Sequence, residues 1–99
     1  AASDVYKRQV VRCHVIDADE FKKYINLSGP IISEYGGTFL ARGGNQTEYE
    51  ITGYERTVLI EFKNIELAKA CYNSDKYQNA LQHIHKSAKR TVVIVEGVN

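Results

Sequence analysis

Only two cysteines occur among the 99 residues, and Cys13 and Cys71 lack the spacing of metal ligands. We therefore expect two buried free thiols rather than a zinc site or a disulfide framework. No apolar run approaches the roughly 18 residues needed to span a bilayer, and the N-terminus lacks the apolar core of a secretory signal. These absences predict a cytoplasmic protein.

An excess of charge of either sign is also missing. The 13 Lys and Arg side chains nearly balance 12 Asp and Glu, giving a net charge of +1. This composition offers no broad attraction to nucleic acid or to an anionic membrane, so we expect neither as a partner. No signature of a nucleophilic triad, zinc site, nucleotide loop or flavin is present, and no cofactor or metal is predicted.

The length predicts one domain, close to the size at which a partner subunit adds needed stability. Residues 1–9 carry small and charged side chains without a sustained apolar period. We interpret them as a disordered lead-in or a cloning or sequencing remnant, followed by a single domain over residues 10–99.

The apolar pattern predicts an α+β domain of the ferredoxin-like β-α-β-β-α-β order, in which two helices cover one face of a four-stranded antiparallel sheet. Asp17 and Asn64 are expected to cap the two helices, and Ser74 to restart the second one. Pro30 predicts a kink or a break in the first helix. The expected strands cover residues 10–16, 38–42, 57–62 and 90–96, with a polar extension at 46–51.

The run from Tyr35 to Gly44 is the most informative stretch, because two glycine pairs bracket a short strand that ends in Arg42. The first pair can end a helix through a positive φ, and the second lets the strand bend or bulge. An arginine held at a strand end suits a carboxylate or another small anion, although a structural salt bridge would also explain it.

Both faces of the predicted sheet are apolar. Val58, Ile60 and Phe62 share one face of the third strand, yet Leu59 on the other face is also apolar, and residues 92–95 repeat this pattern. Because an antiparallel sheet with one wet face alternates apolar and polar residues, we expect a second copy to cover the far side in a homodimer. The alternative is that a few exposed aliphatic residues are tolerated singly.

Several side chains are candidates for binding a small ligand. We expect Tyr24, Tyr35, Tyr72 and Tyr77 to point inward, where each hydroxyl needs a partner. If the hydroxyls converge near Arg42 and Ser74, they form an apolar pocket with polar anchors for a small organic ligand, anionic or aromatic. The alternative is that they belong only to the core and its rim.

Two further candidates lie on strands. His14 shares a face with Arg12, so it lies either in the core or inside a dimer, as a structural histidine or as a base. Glu61 either pairs with an arginine or, if desolvated, acts as a base. His83 and His85 point to different sides of a helix, and we interpret them and the basic residues that follow, Arg90 included, as solvated surface.

These residues resemble the domain of unknown function 1330 family, within the dimeric α+β barrel superfamily. The resemblance spans about Val10 to Val98. Its carriers are Asp17 with Phe21 and Tyr24, the Tyr35–Gly44 run, Arg56 with Glu61-Phe62, Tyr72-x-Ser74-x-x-Tyr77 and Ile94-Val95-Glu96-Gly97. It implies a dimer whose two sheets close a barrel, but no shared activity. Relatives in the superfamily include monooxygenases without a cofactor, whose pocket lies between sheet and helices.

Two functions remain open at this point. The first is a homodimeric protein that binds a small organic molecule, either as a binding protein or as a cofactor-independent enzyme. The alternative is a non-enzymatic dimerisation or sensor module without a catalytic site. A cavity larger than a few waters, lined by Arg42, Tyr72 and Tyr77, would favour the first. RNA binding would need exposed aromatic residues on the sheet, where aliphatic ones occur instead.

Overall fold

The computed structural model describes residues 6–98. A four-stranded antiparallel sheet of order β2-β3-β1-β4 carries all helices on one face. The elements are β1 (Lys7–Val15), α1 (Ala18–Glu34), β2 (Thr38–Arg42), β3 (Arg56–Phe62), α2 (Ile65–Asn73), α3 (Asp75–Ala80), a 3-10 turn (Leu81–His83) and β4 (Ala88–Glu96). The predicted ferredoxin-like α+β fold is confirmed, with its second helix divided in two.

The first strand begins at Lys7, three residues before the predicted start at Val10. Lys7 and Gln9 are buried on the helix side, so part of the proposed lead-in belongs to the sheet. The prediction for residues 1–5 lies outside the described residues. Residues 7–9 pair with both β3 and β4, and this pairing explains why they form a regular strand.

Helix α1 runs without a break through Pro30, so of the two predicted outcomes, a break and a kink, the break is wrong. Asp17 caps the helix as expected, its side chain accepting hydrogen bonds from Asp19 N at 3.1 Å and Glu20 N at 3.2 Å. The buried stripe continues on both sides of the proline, at Ser28 and at Ile31. Packing of this stripe against the sheet outweighs the hydrogen bond that proline cannot donate.

The second helical region follows the predicted caps. Asn64 Oδ1 accepts a hydrogen bond from Leu67 N at 2.8 Å, and Ser74 Oγ accepts one from Tyr77 N at 3.2 Å. This region ends before Ala88, which pairs with Val15 in β4.

Strand β2 contains a bulge at Leu40, between the pairs Phe39–Ile60 and Ala41–Leu59. The bulge lies within the strand rather than at the second glycine pair, where the sequence indicated it. One extra residue reverses the side-chain alternation, so Phe39 and Arg42 share the helix side of the sheet.

The two faces of the sheet differ in burial. The covered face, which packs against the helices, carries Val11, Cys13, Ile60 and Phe62, all at most 4% exposed. The far face carries Val10 and Leu59, half-buried, and Val93 and Val95, which are 56% and 51% exposed.

Cys13 and Cys71 are buried free thiols, as predicted. Over residues 6–98 no helix is long and apolar enough to cross a membrane.

Candidate functional site

A cavity of about 30 Å³ lies between α1 and the covered face. Its walls are mostly apolar, with Val11, Val58 and Ile60 on the sheet and Phe21 and Ile32 on the helix. Its polar lining consists of Gln9, Tyr24, Ser28, Arg42, Arg56 and Arg90. The cavity has room for about two water molecules. The condition stated above for ligand binding, a cavity larger than a few waters lined by Arg42, Tyr72 and Tyr77, is therefore not met, because Arg42 lines this small cavity but Tyr72 and Tyr77 do not.

Three arginines, here called the cavity arginines, reach the cavity from three strands: Arg42 ends β2, Arg56 begins β3 and Arg90 lies in β4. No Asp or Glu is among the residues that line the cavity. Arg42 and Arg56 have no ion pair or hydrogen bond to any described residue, and the Nε of Arg56 is buried without a partner. Unpaired guanidinium groups make this an electropositive site.

Two glycines make room for these arginines. A Cβ at Gly29 in α1 would lie 3.1 Å from Arg42 Nη2, and a Cβ at Gly43 would collide with the guanidinium of Arg56. Gly43 also has a φ of +72°, which disfavours other residues. The guanidinium of Arg42 stacks 4.0 Å from the centroid of Phe39, so an aromatic ring beneath it replaces a carboxylate partner.

Two buried neutral side chains also face the cavity. Gln9 and Ser28 are 2% and 4% exposed, and in the part of the chain that the structure describes neither side chain forms a hydrogen bond. Buried polar groups are normally satisfied by protein, water or ligand. The cavity therefore offers hydrogen-bonding capacity to a polar occupant.

Tyr24, Tyr77 and Arg90 form a buried tyrosine–arginine network beside the cavity. The two hydroxyl oxygens lie 2.6 Å apart, and Arg90 donates to Tyr24 at 3.0 Å and to Tyr77 at 3.1 Å. Burial, reinforced by the neighbouring Tyr24, raises the pKa of Tyr77, so this phenol is protonated at neutral pH. The positive charge of Arg90 thus meets hydroxyl dipoles rather than an anion.

Cys13 lines the same cavity. Burial raises the pKa of its thiol, and the nearby Arg90 only partly opposes this effect. Cys13 is therefore a neutral thiol at neutral pH and lacks the thiolate character of a nucleophile.

Of the predicted site residues, Arg42 lines the cavity, and Tyr77 lies behind it in the tyrosine–arginine network. The ring of Tyr72 packs 5.2 Å from that of Tyr77, outside the cavity. Ser74 caps α3 and donates to Cys71 O at 2.8 Å. The tyrosine hydroxyls thus converge on Arg90 instead of on Arg42 and Ser74.

The remaining two candidates lie on the far face, away from the cavity. His14 Nδ1 lies 2.8 Å from Glu55 Oε1, and both side chains are about half exposed. Glu61 pairs with Arg8 at 2.8 Å rather than with Arg42 or Arg56. The structure therefore separates these residues from the cavity arginines.

A larger open groove of about 420 Å³ also lies on the far face, beneath the arm formed by residues 44–55. Its one cationic residue is already paired, since Arg12 Nη2 lies 3.2 Å from Glu48 Oε2 and 2.7 Å from Ile51 O, while the exposed Glu50 of the lining has no partner among the described residues. The groove therefore offers space but no unpaired cationic group. We therefore take the smaller cavity as the candidate site.

Sequence reasoning missed Arg56 and Arg90 as site residues. Side chains two residues apart in a strand lie on the same face of the sheet. Arg56 therefore shares the covered face with Val58 and Ile60, and Arg90 shares it with Val92, so the alternation alone would have identified both. The interpretation of Arg90 as solvated surface is wrong, because its side chain lies on the covered face of β4 and donates to Tyr24 and Tyr77. His83, by contrast, pairs with Glu20 at 2.6 Å. Among residues 6–98 no three His, Cys, Asp or Glu side chains could together hold a metal ion.

Comparison with protein families matches residues 9–98 to the family described as domain of unknown function DUF1330. The chain belongs to this family. No curated protein matches it.

Solved structures confirm the fold at low sequence identity. A Rhodopseudomonas palustris protein of unknown function superposes with a TM-score of 0.80 at 11% identity, over 97% of this chain and 85% of its own. SnoaB, a cofactor-independent oxygenase from Streptomyces nogalater, gives 0.69 at 7% identity, over 96% and 95%. A dimeric ferredoxin-like protein of unknown function from Thermobifida fusca gives 0.58 at 13% identity, over 93% and 91%.

Proposed function

We propose that this DUF1330 protein is a homodimer that binds a small organic anion in the cavity between α1 and the sheet. The observation that carries the proposal is the presence of three cavity arginines without an acidic residue in the cavity lining. A guanidinium suits the planar, two-oxygen geometry of a carboxylate. A carboxylate in the cavity would supply the counter-charge that the protein itself does not.

The size and walls of the cavity restrict the class of ligand. An aromatic ring requires a cavity of roughly 150 Å³, and this cavity measures about 30 Å³. The cavity therefore suits a carboxylate no larger than acetate, with its methyl group against Val58 and Ile60. Arg42 is exposed whereas Arg56 and Arg90 are half-buried, so we infer that the ligand enters past Arg42.

The homodimer is inferred from the far face. Val93 and Val95 are more than half exposed and lie beside the half-buried Val10 and Leu59. Together these four residues form an apolar strip that nothing covers in a single copy. The Thermobifida fusca protein of similar fold is described as dimeric. A second copy placed against this face would bury the strip. Measurement of solution mass at micromolar concentration tests this part, and a monomer would contradict it.

A cofactor-independent enzyme is the second candidate. The tyrosine–arginine network favours it, because a hydroxyl that lies against the ligand and is polarised by a buried arginine can exchange a proton with it. The similar fold of SnoaB, described as a cofactor-independent oxygenase, is an analogy of architecture and not of mechanism.

Cys13 and Cys71, both free, fit a reducing compartment, and we place the protein in the cytoplasm.

Acetate tests the anion-binding proposal, with acetamide as the neutral molecule of matched shape and sodium chloride as the ionic control. A ligand of four non-hydrogen atoms gains at most about 6 kcal/mol, so acetate must be titrated in the millimolar range. With a Kd of about 1 mM, 10 mM acetate adds roughly 1.4 kcal/mol to the free energy of unfolding. That corresponds to a rise of several degrees in Tm, whereas acetamide should produce none.

Arg42→Ala should abolish most of this shift, whereas Lys69→Ala should leave it intact. Lys69 is an exposed residue of α2 away from the cavity, so its removal changes the net charge equally. A folded Arg42→Ala protein with an unchanged acetate shift would overturn the role of Arg42. If the native protein responds alike to acetate and acetamide, the dimerisation or sensor module becomes the better explanation.

A further inference from the structure

The hydroxyl hydrogens of the tyrosine–arginine network outnumber their acceptors within the protein. Arg90 donates to both hydroxyl oxygens, and one phenol hydrogen lies in the 2.6 Å contact between Tyr24 and Tyr77. Each hydroxyl carries one hydrogen, so the second hydrogen remains. Within residues 6–98 neither hydroxyl forms a hydrogen bond to a further acceptor. The position of this surplus hydrogen decides which tyrosine can act on a ligand.

The surroundings of the two tyrosines differ. Tyr77 is 1% exposed, does not line the cavity, and packs against the rings of Tyr24 and Tyr72. Tyr24 lines the cavity together with the cavity arginines. A surplus hydrogen on Tyr77 would remain buried without a partner, which costs about 1–3 kcal/mol. The same hydrogen on Tyr24 can reach an acceptor inside the cavity.

We propose that Tyr24 is the hydrogen-bond donor that recognises the carboxylate ligand, and that Tyr77, held by Arg90, donates to Tyr24 as a positioning residue. This inference rests on the proposed anion-binding function and extends it to the specificity of the site. The chain of donors runs from Arg90 through Tyr77 to Tyr24, and each bond polarises the next. A site built in this way selects a ligand oxygen that only accepts hydrogen bonds, as a carboxylate does.

Acetate titrations of single Tyr→Phe variants test this assignment. Tyr24→Phe should weaken acetate binding about tenfold, because the ligand loses the donor that Arg90 and Tyr77 polarise. Tyr77→Phe should change it no more than about threefold, since Tyr24 keeps its hydrogen and its bond from Arg90. Tyr35→Phe is the matched control, since the half-buried Tyr35 lies outside the cavity, and it should bind as the native protein does.

A second measurement on the native protein reports on Tyr24 even if a variant fails to fold. With tyrosine labelled by ¹³C at Cζ, acetate should shift the Tyr24 signal most, and acetamide should not. Equal acetate affinity of Tyr24→Phe and the native protein would overturn the inference and leave the anion site standing. A larger loss in Tyr77→Phe than in Tyr24→Phe would reverse the assigned order of donors. Absence of acetate binding to the native protein would overturn both proposals.

Discussion

The cationic side chains on the two faces of the sheet differ in their partners. On the far face, Arg8 lies 2.8 Å from Glu61 and Arg12 lies 3.2 Å from Glu48. On the covered face, the cavity arginines line a space without any acidic residue. An unpaired charge costs more where water is excluded, so selection for stability alone would favour the opposite arrangement. The comparison indicates that the paired set supports the fold and the unpaired set awaits a ligand.

The same comparison explains why the far face needs a second copy. Its arginines each have a carboxylate partner, although Arg8 Nη1 is buried without a hydrogen bond, and exposed aliphatic side chains are its main feature without a partner. On the covered face the aliphatic residues are packed and Lys7 is paired with Glu96, whereas the cavity arginines have no acidic partner. Each face thus lacks a different component: the far face an apolar cover, the covered face an anion.

The largest expected effect comes from placing a charge on the far face. Val93, which pairs with Val10 in the centre of the sheet, is 56% exposed in one copy. Val93→Glu should raise the dimer dissociation constant about 100-fold or more, because the interface would bury an unpaired carboxylate. Light scattering over a concentration series measures it. Val98→Glu is the control, since Val98 is 99% exposed beyond β4 and should leave the mass unchanged.

The second-largest expected effect concerns Gly43, whose lack of a side chain leaves space for Arg56. Gly43→Ala should lower the free energy of unfolding by about 1–2 kcal/mol, because alanine resists the left-handed conformation, and should weaken acetate binding by displacing Arg56. Gly36→Ala is the matched control, because Gly36 has a similar φ of +78° and a Cβ there meets nothing within 4 Å. Denaturant unfolding and acetate titration measure the two effects. Equal behaviour of the two variants would show that Arg56 does not depend on this space.

How far the sequence predicted this structure depends on whether the signal was local. The caps at Asp17, Asn64 and Ser74 were predicted correctly, because each depends on a side chain and backbone amides within three residues. The continuous helix through Pro30 was not, because tertiary packing decides it. The same limit applies to the direction of the Arg42 side chain. The bulge at Leu40 turns Arg42 toward the helices, and this bulge is a property of strand pairing.

The candidate site was predicted only in part for the same reason. Arg42 was identified from its position at a strand end, but its partners were expected to be Ser74 and the tyrosines of the second helix. Arg90 was placed at the start of the fourth strand but interpreted as solvated surface together with the basic residues before it, so its alternation with Val92 was not used. Because the cavity joins β2, β3 and β4 under α1, its composition depends on sheet order, which no short stretch of sequence contains.

A smaller effect is expected when an arginine is removed from one face or the other, because the free energy of unfolding should respond differently on the two faces. Arg8→Met should lower the free energy of unfolding by about 1 kcal/mol, because it leaves Glu61 half-buried without its partner. Arg56→Met should not lower it, because it removes a buried Nε that has no acceptor and relieves repulsion among the cavity arginines. Denaturant unfolding in buffer free of carboxylates and phosphate measures both. A loss in Arg56→Met as large as in Arg8→Met would remove the distinction between the faces.

The smallest effect concerns an exposed pair on the far face. Hydrogen bonds from His14 and from Val15 N hold the pKa of Glu55 below its ordinary value of 4.5. A carboxyl whose pKa is lowered by folding stabilises the fold above the unfolded pKa, and this contribution disappears as pH falls through the folded pKa. Glu55→Gln should therefore cost less than about 1 kcal/mol at pH 7, because both partners are half exposed.

The same variant should be indistinguishable from the native protein once the pH lies below the folded pKa of Glu55. Unfolding experiments from pH 7 downward measure the difference, with Glu66→Gln on the exposed side of α2 as the control. A difference that grows as the pH falls would mean that Glu55 is held as the neutral acid. In that case the far face would also contain a desolvated acid, and the contrast between a paired face and an unpaired one would no longer describe the molecule.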